Sequence, residues 1–227
     1  MAFAAGVVAC LAPTLPATAQ EASATDIMMV EQGRAILGAH AVSARHTIGA
    51  PVFSAAGERL GSVANLVLDS ANRIQKVVVS SGTVLGVGGK NVQVEFKATV
   101  IRRDQEKAPI IQMQVTPEEM DNAPSFDPST LASDGDRLAS SFIDRTVTLA
   151  AMSESGKIHD LILNEDGTVE HLIVEFGGVL GVGQTRFVVA PDKLATAPEG
   201  KPMSLSLSKS ELEALPRIKS TKAVSTL

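Results

Sequence analysis

The chain has no tryptophan and no tyrosine, and only seven phenylalanines among 227 residues. Val, Leu, Ile and Ala must therefore build the core, and the scarcity of aromatics argues against recognition of bases by stacking. An excess of positive charge is missing too: 20 Lys and Arg face 25 Asp and Glu, for a net charge of −5. That balance argues against a nucleic-acid partner, which needs a clustered basic surface. Cysteine occurs once, as Cys10. The four histidines are His40, His46, His159 and His171, and none pair at helical ligand spacing. His159 and His171 fall on successive strands and could approach across a hairpin, but structural histidines are far commoner than ligands. No nucleophile elbow is present, and carboxylates such as Glu165 and Asp166 lie in turns where solvation explains them. The reading is a non-enzyme with no catalytic residues, no metal and no cofactor.

The opening "MAFAAGVVACLAPTLPATAQ" carries no charge. Its apolar run, followed by Pro13, Pro16 and the small-x-small triplet Ala17-Thr18-Ala19, has the form of a secretory signal peptide cleaved after Ala19. The absent positive n-region is read as a start codon upstream of Met1. Export places the mature chain in the periplasm, without a thiol and so without a disulfide. The alternative is a lipoprotein acylated at Cys10, since "VVAC" loosely fits a lipobox. Two prolines interrupting a run too short to cross argue against a membrane span. Residues 20–47 are expected as an N-terminal segment, partly helical or disordered. Within them Thr25–Leu37 spaces Ile27, Val30 and Leu37 on roughly one helical face.

What the chain does have is a repeat. The stretch from Ile48, "IGAPVFSAAGERLGSVANLVLDSANRIQKVVVSSGTVLGVGGKNVQV", aligns without a gap on the stretch from Ile143, an offset of 143 − 48 = 95. Gly61 falls on Gly156, Leu66 on Leu161 and Leu68 on Leu163. Beyond a three-residue shift, "IQMQVTPEEMDNAP" resembles "MSLSLSKSELEALP". The organisation read from this is a signal peptide at 1–19, a first domain at 48–124, a linker at 125–141, a diverged second domain at 142–218 and a tail at 219–227. Within each copy the apolar period is two: Ile111, Met113 and Val115 alternate with glutamines, and Met203, Leu205 and Leu207 with serines. "LDSANRI" and "LNEDGTV" read as hairpin turns, with Asn72 and Gly167 suited to positive φ. Thr116 to Glu119 and Ser208 to Glu211 each spell a helix capping box. Each copy is thus five or six short strands and one short closing helix, a small β-barrel or strongly bent sheet.

"TVLGVGGKNV", from Thr83, invites a phosphate-loop reading. The spacing fails: the first glycine of such a loop would fall at Val84, Asn91 follows Lys90, and "NVQVEF" continues as a strand. The loop therefore reads as a strand connection with glycines for tight geometry. Its apolar residues Val84, Leu85 and Val87 recur as Val179, Leu180 and Val182. They either pack between the repeats or form a docking surface.

The stretch "IGAPVFSAAGERLGSVANLVLD", then "IQKVVVS" and "LGVGGKNVQVEF", resembles the PRC-barrel family. Glu95 stands where that family commonly has proline, and in the second copy Asp144, Gln184 and Thr185 depart from the pattern. The resemblance implies a mainly β protein of two tandem small barrels, each closed by a short C-terminal helix, acting as an adaptor that docks onto other proteins. It implies no catalytic residue. The expected function is a periplasmic adaptor or structural protein with an unidentified protein partner in the cell envelope, and peripheral membrane association stays open. The alternative is a small-ligand binder using the cleft between the repeats. Each copy alone is marginal in size, so the two are expected to pack as an intramolecular pseudo-dimer, reusing the surface that once joined identical chains.

Overall fold

The computed structural model describes residues 37, 41–82, 89–103, 108–131, 136–149, 155–177, 185–198 and 200–219. The chain is mainly β, with two sheets and a few short helices. In the first sheet, β2 (Pro51–Ser54), β3 (Arg59–Leu68), β4 (Ile74–Ser81), β5 (Lys90–Glu95), β6 (Thr99–Arg103) and β7 (Pro109–Met113) follow the order β5-β4-β3-β2-β7-β6. In the second, β9 (Thr146–Leu149), β10 (Ser155–Leu163), β11 (Val169–Phe176), β12 (Thr185–Val189), β13 (Leu194–Ala195) and β14 (Met203–Leu205) repeat that order as β13-β14-β9-β10-β11-β12. A last strand, β15 (Arg217–Lys219), joins the edge at β12.

Alternation drives these strands as the sequence suggests: Ile111 and Met113 are buried while Gln114 is exposed. Two glycines mark where strands approach too closely for a side chain. A Cβ on Gly61 would collide with the carbonyl oxygen of Ser80, and one on Gly156 would lie 2.5 Å from that of Glu175, the same contact one repeat on.

The closed barrel that the repeat suggests does not appear as a closed ladder. β5 and β6 sit at opposite ends of the strand order, joined by a three-residue 3-10 turn, Phe96–Ala98. After β7 and β14 come two six-residue helices, α2 (Pro117–Asn122) and α3 (Lys209–Ala214). Both carry complete capping boxes, with Thr116 and Ser208 accepting from the N3 amides and Glu119 and Glu211 returning the bond. Met120 and Leu212, one from each helix, are buried in the core.

That core is one continuous apolar cluster drawn from both repeats, including Val63, Leu66, Leu68 and Val79 with Ile158, Leu161, Leu163 and Val174. A satellite cluster covers the other face of the second sheet: Ile162, Ile173, Val188 and Ile218 pack with Leu37 and Ala41. Leu37, placed by sequence on an amphipathic face, is helical and buried; the rest of Thr25–Leu37 lies outside the described residues.

Candidate functional site

The six loop residues singled out by sequence, Val84, Leu85, Val87, Val179, Leu180 and Val182, lie outside the described residues. The surroundings of the first loop are defined. Between its stem and α2 lies a groove of about 350 Å³ lined by Leu60, Gly61, Gly82, Pro117 and Met120, with Arg59 and Asp121 at its edge. Lys90, the residue that gives the loop its phosphate-loop look, donates to the carbonyls of Asp121 and, at 2.8 Å, Ala123. Those carbonyls lie at the C-terminal end of α2, where a cation satisfies groups the helix leaves open.

The junction between the sheets is built by residues that the repeat pairs with each other. Arg73 and Thr168, 95 positions apart (168 − 73), bridge directly. Around them Ile74 donates to Gly167 O at 2.9 Å, and Val169 donates to Asn72 O at 3.0 Å. These two bonds exchange under the same offset, so a local twofold passes through the Arg73–Thr168 bridge. Asn72 and Gly167, at φ of 60° and 81°, supply the left-handed turns that present these groups.

Two short arms cross between the sheets. β1 (Val42–Ser43) precedes the first sheet in sequence, but pairs with β10 of the second through Val42 with Leu163 and Ser43 with Ile162. β8 (Arg137–Leu138), inside the stretch read as a linker, pairs with β3 of the first through Leu138 with Val67 and Arg137 with Leu68. The offset converts one set into the other. Residues 41–47 and 136–141 are thus structural arms, each gripping the other repeat's sheet.

Where each arm meets its sheet, a bulge turns one polar side chain toward it. In the first sheet Asn65 Oδ1 accepts from Leu66 N at 3.0 Å and Ser140 N at 3.2 Å, and its amide donates to Ser140 Oγ at 2.7 Å. In the second, Asp160 Oδ1 accepts from Leu161 N at 2.7 Å and Arg45 N at 2.9 Å, and Oδ2 accepts from Ser43 Oγ. Asp160 is 1% exposed. Burial pushes its carboxyl above the ordinary range, opposed by the bonds from Ser43, Arg45 and Leu161. Ser43 Oγ also lies 3.0 Å from His46 Nδ1, on helix α1 (Ala44–Thr47). Serine here bridges a histidine and an aspartate while itself capping α1, which is a fastening rather than a nucleophile's geometry.

Around this arm the second repeat carries charges that the first lacks. Arg45 pairs with Asp144 at 2.7 Å and donates from Nε to His159 O at 2.7 Å. Glu175 and Arg186 form a half-buried cross-strand pair at 2.9 Å. Desolvation, then the Arg186 and Arg45 guanidinium groups, hold the His159 imidazole below its usual range. The matching first-repeat residues are Gly49, Ala64, Ser80 and Asn91. The strand register separates the two histidines considered as a pair: His171 lies opposite Ile162, and His159 sits in the bulge between Ile158 and Asp160. His40 lies outside the described residues. Among the described residues no group of three or more His, Cys, Asp or Glu converges, and no helix is long and apolar enough to cross a membrane.

Sequence reasoning did not single out Ser43, Arg45, Asp160 or Arg137. The repeat alignment held one signal: Asp160 falls on Asn65 in otherwise matching context.

Fold and site together define a mainly β protein with an internal repeat, whose sheets are fastened by exchanged arms. Residues 40–114 match the PRC-barrel domain. No curated protein matches the chain.

Proposed function

We propose that this protein is a non-enzymatic adaptor of the cell envelope, in which two PRC-type barrels act as one docking module. The reading rests on one observation above all: the PRC-barrel match at residues 40–114, repeated in strand order by the second sheet. The second sheet is then a diverged copy of the same barrel, each copy finished by its capped helix. The docking surface is the pair of apolar Gly-rich stretches, Leu85 with its neighbours and Leu180 with its neighbours, which repeat each other in sequence. The signal-like leader supports periplasmic work.

The test is photo-crosslinking in the native envelope, comparing wild type with Leu85→Asp and Leu180→Asp. The adaptor reading expects a defined adduct that either substitution abolishes while the melting temperature stays within a degree or two. If both variants instead melt well below wild type, the loops are inter-repeat packing, because a buried unpaired carboxylate costs several kcal/mol. An adduct pattern unchanged in both variants removes the loops from the docking surface.

A further inference from the structure

The two repeats differ sharply at one pair of equivalent places on their junction. Beside the turn of the second repeat, Phe96 fills the space: a Cβ on Gly167 would come 2.5 Å from its ring. Phe96, like Val42 and Ile101, packs against the apolar core. At the equivalent place beside the turn of the first repeat, the offset of 95 puts Pro191 for Phe96, Arg137 for Val42 and Thr196 for Ile101. No plug forms there. Instead the junction holds a cavity of about 240 Å³, and Arg137, Pro191 and Thr196 line it together with Asn72, the counterpart of Gly167.

The cavity's lining includes the aliphatic side chains of Leu161, Leu172 and Leu194 among polar ones. Arg137 stands at its wall with the guanidinium 5.2 Å over the Phe142 ring. That stacking fixes the group's position. Its Nε is buried without a hydrogen-bond partner, the one such side-chain atom among the described residues. A buried donor without an acceptor is destabilising, and a ligand that supplies the acceptor relieves it. The other charged residue lining the cavity, Asp192, is exposed and lies 3.9 Å from Lys193 Nζ.

We infer that this inter-repeat cavity is a binding site for a small organic carboxylate with a short apolar tail. The carboxylate meets the Arg137 fork, the pairing for which guanidinium geometry is suited, and the tail lies against the lining leucines. The volume is below that of pockets for drug-sized ligands, which limits the tail to a few carbons. The second copy of the junction, plugged by Phe96, binds nothing.

The experiment titrates the full chain with hexanoate and, separately, hexan-1-ol, followed by amide chemical shifts and calorimetry. Hexanoate should bind, with the largest shifts at Leu68, Asn72, Leu161 and Leu194, and hexanol should bind at least tenfold more weakly. Arg137→Met should erase the preference for hexanoate. Asn72→Gly with Pro191→Phe, which copies the plugged side, should abolish binding of both while melting at or above wild type. Hexanoate shifts scattered away from the cavity, or affinity unchanged in Arg137→Met, would overturn the inference. The wild-type shift map decides the matter even if a variant fails to fold.

Discussion

Asp160→Asn should leave the protein as stable as wild type or more so at neutral pH, although it removes the most deeply buried carboxylate among the described residues. Asp160 accepts three hydrogen bonds, from Ser43, Arg45 and Leu161. An asparagine keeps all three links, since its Oδ1 can accept from the two amides while its Nδ2 turns to Ser43 Oγ. Asn65 already does this in the other repeat. Asp160→Ala breaks all three and strands two buried amides. At about 1 kcal/mol per bond, that loses roughly 3 kcal/mol, or about 6–12 °C in melting temperature for a chain of this length. The pH dependence carries the sign. The folded carboxyl titrates above its ordinary value because it is desolvated. Below the unfolded value of about 3.9 both states are protonated and there is no penalty. As pH rises from there through the folded value, the unfolded chain ionises first and stability is lost; above the folded value the penalty is complete. The advantage of the Asp160→Asn variant over the wild type should therefore be widest near pH 7 and close toward pH 4. Differential scanning calorimetry of the three proteins across that range measures it. An Asp160→Asn variant that melts as low as Asp160→Ala would refute the account, because the carboxylate charge itself would then be required.

Three further outcomes are expected. Gly167→Ala should cost about 1–3 kcal/mol by chemical denaturation, because its φ of 81° disfavours a side chain and the added methyl would meet Phe96. Thr116→Ala and Ser208→Ala each remove half a capping box and should cost about 1 kcal/mol apiece; the double variant should show their sum, since the helices belong to different sheets. His159, held low by desolvation and by Arg186 and Arg45, favours folding when neutral, so its contribution is lost as pH falls from about 6.5 toward the folded value. His159→Gln should flatten the urea midpoint over that window, and an unchanged slope would remove His159 as its source.

The long strands were legible because their residues alternate and because the gapless repeat shows each pattern twice. β4 and β11 even share one burial pattern, residue for residue. The capping boxes and the left-handed turns at Asn72 and Gly167 were legible because each depends on local chemistry within four or five residues. The arms were not. β1 and β8 have two residues each, too few to show a period, and their partners lie far along the chain. For the same reason the stretch at 136–141 passed for linker, and 41–47 for the end of a partly helical or disordered N-terminal segment. Asp160 looks like any polar residue on a strand, because its burial comes from Ser43, 117 residues away. Arg137 resembles a linker cation until the fold carries it to the junction. Closure was not legible for a related reason: alternation reveals strands, but does not choose between a barrel and a strongly bent sheet.

The Arg73–Thr168 bridge joins a position to its own counterpart. When such a contact unites separate products of a single gene, every substitution near the axis arrives twice, and a change that opens one side opens both. Fusing the halves removes that constraint. Phe96 can go on sealing its side while Pro191 leaves the other unsealed, and Asn65 can stay neutral while its counterpart becomes a buried carboxyl, Asp160. Duplication thus gives each half its own mutational history: one preserves the fold's cohesion while the other is free to vary.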